Sequence, residues 1–289
     1  SLVSYWLVPR APLGIAGWRW VVFLGALAAV AVWGIRRSVP ESPRWLAQQG
    51  RLEEADRVVA QMEARIETGL GHPLPQPGAA AAAEMAGTGN FSEIWAPSYR
   101  KRTIMLVIFN FFQTIGFYGF GNWVPALMAS SGVSTPNSLK YSAIVALMYP
   151  VGPLLCTLIA DRFERKWQIV AAAVGTATFG LLFGQRTDAE WLISFGLLIT
   201  LSNNLLSYAY HAYQAELYPT RIRARAVGFV YSWSRLSTIF TSFLIAGFLD
   251  RFGTRGVLAF IAASMGVVVL AIGVLGPRTK ALALEEISR

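Results

Sequence analysis

Seven stretches of this chain run with almost no charged side chain: residues 20–35, 103–128, 141–160, 168–184, 191–213, 226–249 and 257–275. Six of them reach the ~17–25 apolar residues a helix needs to cross about 30 Å of hydrocarbon. The first is shorter, but Arg19, Arg36 and Arg37 flank it and can lengthen it by snorkelling. Apolar positions are continuous in these stretches and do not alternate, so they predict helices and not barrel strands. Hydrocarbon offers the backbone no water, and a helix satisfies its own amides and carbonyls. The pattern therefore predicts an all-α, polytopic membrane helix bundle.

Composition sharpens this. The chain has 289 residues, 54% hydrophobic and 14% charged, against roughly a quarter charged in soluble domains. Two ordinary globular domains are excluded. Of the 25 basic and 16 acidic residues, Arg235 alone lies inside an apolar run. The other basic residues are lopsided. Alternate loops carry 18 on one side, at 36–102, 162–166, 221–225 and from 278 onward, and six on the other. The positive-inside bias places the 38–102 loop and the C-terminus in the cytoplasm, and a bacterial inner membrane is the expected location. It also accounts for the net charge of +9 without a nucleic-acid partner; the surrounding partner is the lipid bilayer.

Between the first two runs, Pro40-Glu41-Ser42-Pro43 breaks the helix. Residues 44–66 then carry Trp45, Leu46, Leu52, Val58, Val59, Met62 and Ile66 at helical spacing. They predict small amphipathic helices beneath the bundle, or a solvated linker helix, divided at Gly50 and helped by a Glu53–Arg57 pair. Residues 69–89 are rich in Pro, Gly and Ala and read as a flexible linker, with His72 carrying no chemistry. Residues 1–8 read as the end of another apolar helix, which predicts the downstream portion of a longer protein. Four segments follow: 1–37, the end of one membrane helix and all of the next; 38–102, cytoplasmic helices and linker; 103–276, a six-helix bundle; 277–289, a tail. Cys156, the single cysteine, supports no disulfide framework or metal site.

Four loop motifs then stand in order: Pro40-Glu41-Ser42-Pro43-Arg44-Trp45-Leu46 with Gly50-Arg51-Leu52-Glu53-Glu54-Ala55; Asp161-Arg162-Phe163-Glu164-Arg165-Lys166; Glu216-Leu217-Tyr218-Pro219-Thr220-Arg221-Ile222-Arg223; and Pro277-Arg278-Thr279-Lys280 with Leu284-Glu285-Glu286-Ile287. Together they resemble the major facilitator superfamily, especially its sugar-porter and organic-ion branches. The resemblance implies that residues 1–8 end the fifth helix of that fold, that the seven runs are helices six to twelve, and that most of the N-terminal half is missing. Thr157 and Glu164 stand where the family usually has glycine, and Arg278 where it has an acid.

The loop charges predict a cytoplasmic network. Asp161 at a helix end faces an unfavourable dipole unless compensated. Glu216 can pair with Arg223, Arg165 or Arg162, and Arg225, Glu41 and Arg44 lie on the same predicted side. Such a network could hold that side closed, or the cations could serve only as topological anchors.

Arg235 is the tenth residue of its run, roughly 14 Å in at ~1.5 Å per residue. A guanidinium there costs about 2.5–3.5 kcal/mol on insertion scales, so it needs a cavity or a partner. Either it binds an anionic substrate, bidentately if that is a carboxylate, or it pairs with an acid in the missing half. Organic-anion members of the resembled family have an arginine at the corresponding offset that contributes to anion binding, which implies the first. The run 103–128 adds Asn110, Gln113, Tyr118, Asn122 and Trp123 among glycines; the resemblance implies that Gln113 and Gly116 are retained from a sugar-site pattern while Phe112 and Tyr118 replace two polar groups. That exchange argues against a sugar and for a flat ring. Phe111, Phe112, Phe117 and Phe120 can equally face lipid or neighbouring helices. Asn203, Asn204, Tyr208, Tyr210 and His211 lie on the run 191–213, Tyr149 and Pro150 on 141–160, and Tyr231 and Ser234 beside Arg235. His211 could relay a proton or make a structural hydrogen bond.

The substrate-binding candidates are therefore Arg235, Gln113, Asn110, Tyr118, Asn122, Asn204, Tyr208, His211 and Tyr231. The function expected is secondary transport of a small organic anion, an aromatic carboxylate, by alternating access, with protons as coupling ion. A sugar or polyol proton symporter is the alternative in the same class. A non-transporting sensor or inactive fragment is the alternative in another, since half a cavity cannot alternate. No nucleophile set, phosphate loop or metal cluster stands in the runs, so no enzyme and no cofactor is expected.

Overall fold

Every regular element is helical among residues 7, 12–74, 89–159 and 162–280, which the computed structural model describes. The chain divides into two units, residues 1–88 and 89–289, described separately.

In the first unit, a short 3-10 turn, Pro12–Gly14, accepts the Trp20 indole N–H at its Pro12 carbonyl, 3.1 Å away. Helix α1, Gly17–Ser38, keeps Val22, Phe23, Leu24 and Leu27 exposed along its length, the state of a helix whose solvent is lipid. Arg37 closes it by lying over the Trp33 ring, 3.6 Å from the centroid. Pro43 starts α2, Pro43–Gln48, where its missing N–H is not needed. Gly50, at φ +76°, turns the chain into α3, Leu52–Leu70, and the buried Leu46 and Ala55 join the two helices. The anticipated Glu53–Arg57 side-chain pair is not formed. Arg57 donates instead to the Glu53 carbonyl, and Arg51 takes Glu54 at 2.5 Å, since a residue before the helix can swing freely onto its first turn. Helix α3 also runs four residues beyond Ile66, so the linker begins only at Gly71; residues 75–88 lie outside the described part.

The second unit opens on a 3-10 turn, Phe91–Trp95, capped by Asn90. It continues into α4, Pro97–Gly121, α5, Val124–Ser130, α6, Thr135–Ala146, α7, Met148–Thr157, α8, Arg165–Phe183, α9, Ala189–Glu216, and α10, Thr220–Leu270, which ends in a π turn, Ala271–Leu275. Helix α10 is two helices joined at Gly253, whose φ of +63° and ψ of −168° reverse the chain. Ile222, Ala226 and Val230 share a core with Met265, Val268 and Ile272, while Ile245 shares another with Val257, Leu258 and Ile261, as antiparallel arms require.

Six crossings result, matching the six downstream runs, with three differences. Helix α4 starts at Pro97, before its run. The run 103–128 breaks after Gly121, because Pro125 cannot continue an interior turn, and 141–160 breaks at Leu147, because Pro150 removes another donor. The helices pack through close approaches. A Cβ on Gly119 would sit 2.8 Å from Ile245, and one on Gly196 would sit 2.6 Å from Val145. Of the expected Phe set, Phe120 is wholly buried, in a T-shaped contact with Phe183.

Candidate functional site

Arg235 extends from the first arm of α10 onto an exposed face of the second unit. Its Nη2 donates to the Tyr231 hydroxyl at 2.5 Å, one turn earlier, and its Nη1 reaches the Tyr118 hydroxyl of α4 at 3.4 Å. The guanidinium carbon lies 4.9 Å from the Tyr231 ring centroid. Helical spacing aligns Tyr231 with Arg235, while Tyr118 arrives through the packing of α4 on α10. No carboxylate among the described residues is paired with Arg235. Two hydroxyls and a ring face hold the guanidinium without neutralising it, leaving donors for an incoming acceptor.

His211 adjoins this group. Its ring is 4.1 Å from Tyr210 and 6.1 Å from Tyr231, centroid to centroid. It also lines a cleft of about 480 Å³ with Pro153, Asn204, Ser207, Tyr208, Ala212 and Arg165. That volume is in the range that holds a small organic molecule. The cleft wall is supported from behind, where Asn204 donates to the Met148 carbonyl at the break between α6 and α7.

Four of the candidates, Arg235, Tyr118, Tyr231 and His211, thus lie on or beside one face, with Asn204 and Tyr208 in the cleft wall. Three do not join them. Asn110 is fully buried and donates to the Leu106 carbonyl; Gln113 is buried and bonded to Thr114; Asn122 is exposed where α4 ends. Helical phase explains this, since Asn110 and Gln113 fall on the side of α4 that meets its neighbours.

The basic loops make particular pairs. Arg165 forms an ion pair with Glu216, one of the three partners anticipated. Arg223 donates instead to the Tyr218 carbonyl, and Arg225 to the Gly89 carbonyl at 2.5 Å. Arg162 contributes its carbonyl to the Lys280 ammonium at 2.7 Å. Asp161 lies outside the described residues, and Glu41 and Arg44 belong to the first unit.

Several anchors here were not anticipated. Glu93 accepts from the Asn90 backbone N–H at 2.8 Å and from Arg221 at 3.1 Å, so its carboxyl is held below the usual glutamate range, most strongly by the Asn90 bond. Glu164 accepts from the Thr279 and Lys280 backbone N–H groups at 2.9 and 3.1 Å, and Tyr213 donates to the Pro277 carbonyl. Tyr218 is wholly buried, is hydrogen-bonded to the Thr103 hydroxyl at 2.9 Å, and has its phenol pushed up to about 12 by burial. The S/T/N-x-x-E pattern of Asn90 to Glu93 was the one legible signal among these.

The family model described as sugar (and other) transporter matches residues 2–289. The putative metabolite transport protein YyaJ of Bacillus subtilis (strain 168) is 33% identical over 282 residues, covering 97% of this chain and 61% of that protein. The niacin transporter NiaP of Acinetobacter baylyi is 26% identical over 293 residues, covering 99% and 64%. Among solved structures, that of the major facilitator proton:xylose symporter XylE bound to 6-bromo-6-deoxy-D-glucose superposes with a TM-score of 0.73 at 19% identity, over 99% of this chain and 62% of that one. The chain spans about three-fifths of the length of these relatives.

Proposed function

Because this chain belongs to the sugar (and other) transporter family and has the major facilitator fold, we propose that its Arg235 face binds a small organic anion, an aromatic carboxylate, for carriage across the membrane. The protein is an integral multi-pass membrane protein of a family of transporters, not enzymes. The observation that carries the substrate class is the guanidinium of Arg235, held by Tyr118 and Tyr231 with no acid beside it among the described residues. A planar fork of donors matches a carboxylate, and the surrounding rings match a flat body. The niacin carrier among the relatives supports this reading. Residues 38–102 and the tail face the cytoplasm of a bacterial inner membrane, residues 103–276 form one of two bundles, and the Arg165–Glu216 pair braces the cytoplasmic end. Alternation would need the second bundle, and protons would drive import.

Binding of radiolabelled benzoate to the purified chain tests the reading. Arg235→Gln removes a charge-assisted pair worth ~1.5–3 kcal/mol, so affinity should fall about 10- to 100-fold. Unchanged binding would refute the anion assignment.

A sugar or polyol is the second reading, supported by the family description and by the amide and hydroxyls of Asn204, Ser207 and Tyr208 in the cleft. Displacement of bound benzoate by xylose at lower concentration than by a second aromatic acid would favour it.

A further inference from the structure

The anion reading leaves one question that the geometry addresses: which group would carry a proton alongside the anion. His211 stands between the Arg235 face and the cleft, its ring against Tyr210 and 6.1 Å from Tyr231, which receives Arg235. Its Nδ1 is 3.4 Å from the Gln214 amide nitrogen, one turn along α9. Gln214 is 3% exposed, and among the described residues its Oε1 has no hydrogen-bond partner.

That idle oxygen fits a ring that changes protonation. Neutral His211 can accept at Nδ1 from the Gln214 N–H. Protonated His211 carries a hydrogen on Nδ1 and needs an acceptor, which Gln214 supplies by turning its amide through half a circle. One buried side chain therefore serves both states, and neither leaves the ring nitrogen unpaired.

The charges around His211 make the two states depend on the ligand. From α10 it meets Tyr231, with Arg235 behind; from α4, Tyr118 sits on that same guanidinium. From α8, Arg165 reaches the cleft, already paired with Glu216 of α9. Helix α7 contributes Pro153 and no charge, and α9 itself adds Tyr208 and Tyr210. With the face empty, His211 is paired with no carboxylate among the described residues. A carboxylate bound at Arg235 brings a negative charge to the face that His211 adjoins and favours the protonated ring.

We propose that His211 takes up a proton when an organic anion occupies the Arg235 face, so that proton and anion enter the site together. The proton comes from solvent through the open cleft and adds to the imidazole lone pair; no other bond changes. Linkage makes the effect reciprocal: whatever factor the anion adds to protonation, protonation adds to anion affinity.

The chain contains two histidines, His72 and His211, which makes the test direct. The whole 289-residue chain, labelled with ¹³C in the histidine rings and held in detergent, is titrated by NMR with and without saturating benzoate, with His72→Gln assigning the two signals. Benzoate should move the His211 titration midpoint to higher pH by about one unit, a tenfold change in its protonation ratio, and leave His72 in place. Calorimetry in two buffers of different ionisation enthalpy should show proton uptake on benzoate binding at neutral pH. His211→Gln should abolish that uptake and weaken benzoate binding at neutral pH by no more than the factor that protonation adds, and Gln214→Met should lower the His211 midpoint. Benzoate that binds without moving His211, or proton uptake that persists in His211→Gln, would overturn the proton role and leave the anion reading intact. Absence of any benzoate binding would overturn both.

Discussion

Asn204 crosses the flank of α7 over Gly152 to donate to the Met148 carbonyl, 3.0 Å away. A Cβ on Gly152 would lie 2.2 Å from the Asn204 amide nitrogen, so this bond exists only because residue 152 has no side chain. The pair ties α9 to the point where Pro150 interrupts the preceding helix, and so holds one wall of the cleft.

Gly152→Ala should therefore destabilise the protein by ~1–3 kcal/mol, as overpacking does. Asn204→Ala alone should cost ~1 kcal/mol, the worth of one hydrogen bond. Because both changes act on one contact, the double variant should lose less than the sum. Thermal unfolding of the four proteins in one detergent reads the cycle.

Tyr231→Phe removes a hydroxyl that positions Arg235 but keeps the ring beneath it. Benzoate affinity should fall only about fivefold, or ~1 kcal/mol, well short of Arg235→Gln. Arg235→Lys should lie between the two, since it retains charge and loses the fork. Equilibrium binding of labelled benzoate ranks the three.

Gly253 occupies a conformation, φ +63° with ψ −168°, that is almost confined to glycine. Gly253→Ala should cost ~1–3 kcal/mol, because a Cβ strains the reversal between the arms of α10. Thr254 should be affected with it, since its hydroxyl donates to Leu127 and binds Ser130 and Ser131 at the same corner. Thermal unfolding together with amide exchange around residue 254 would detect both.

The Glu93 anchor should fail in acid. Its carboxyl is depressed by the Asn90 N–H first and by Arg221 next. A group depressed on folding contributes its full stabilisation above its unfolded value and loses it as pH falls through the lower, folded one. Protection of the Asn90 and Ser92 amides, taken as exchange relative to an unfolded chain at the same pH, should thus be present at neutral pH and be lost below the ordinary glutamate range. Glu93→Ala, which removes the acceptor, should lack that protection at both.

Glu164 should govern the tail. Glu164→Gly frees the Thr279 and Lys280 N–H groups, so trypsin should cleave after Lys280 faster while global unfolding changes little. Equal cleavage rates would show that the remaining bonds, from Lys166 to Gly276, Tyr213 to Pro277 and Lys280 to Arg162, suffice without it.

How much was legible follows the range of the forces involved. Crossings showed clearly because a bilayer demands about twenty apolar residues in succession, a local requirement readable without any partner. Arg235 showed for the same reason, as one charge among apolar neighbours. The breaks at Leu147 and after Gly121 were partly legible, since Pro150 and Pro125 mark them. That Asn110 and Gln113 stand apart from the Arg235 face was not legible, because polarity in a membrane run does not reveal which side of the helix carries it. In α4 that side is packed.

The sequence by itself determined the helices, their membrane setting, the family motifs and the presence of an intramembrane cation. Each of these depends on residue type and spacing within a few turns. Only the tertiary structure decided that Tyr118 and Tyr231 receive that cation, that the Gln214 amide lies against His211, that Glu216 takes Arg165, and that Glu164 binds the backbone of Thr279 and Lys280. Those contacts join helices far apart in the chain, and hydrogen bonds form or fail over tenths of an ångström set by packing.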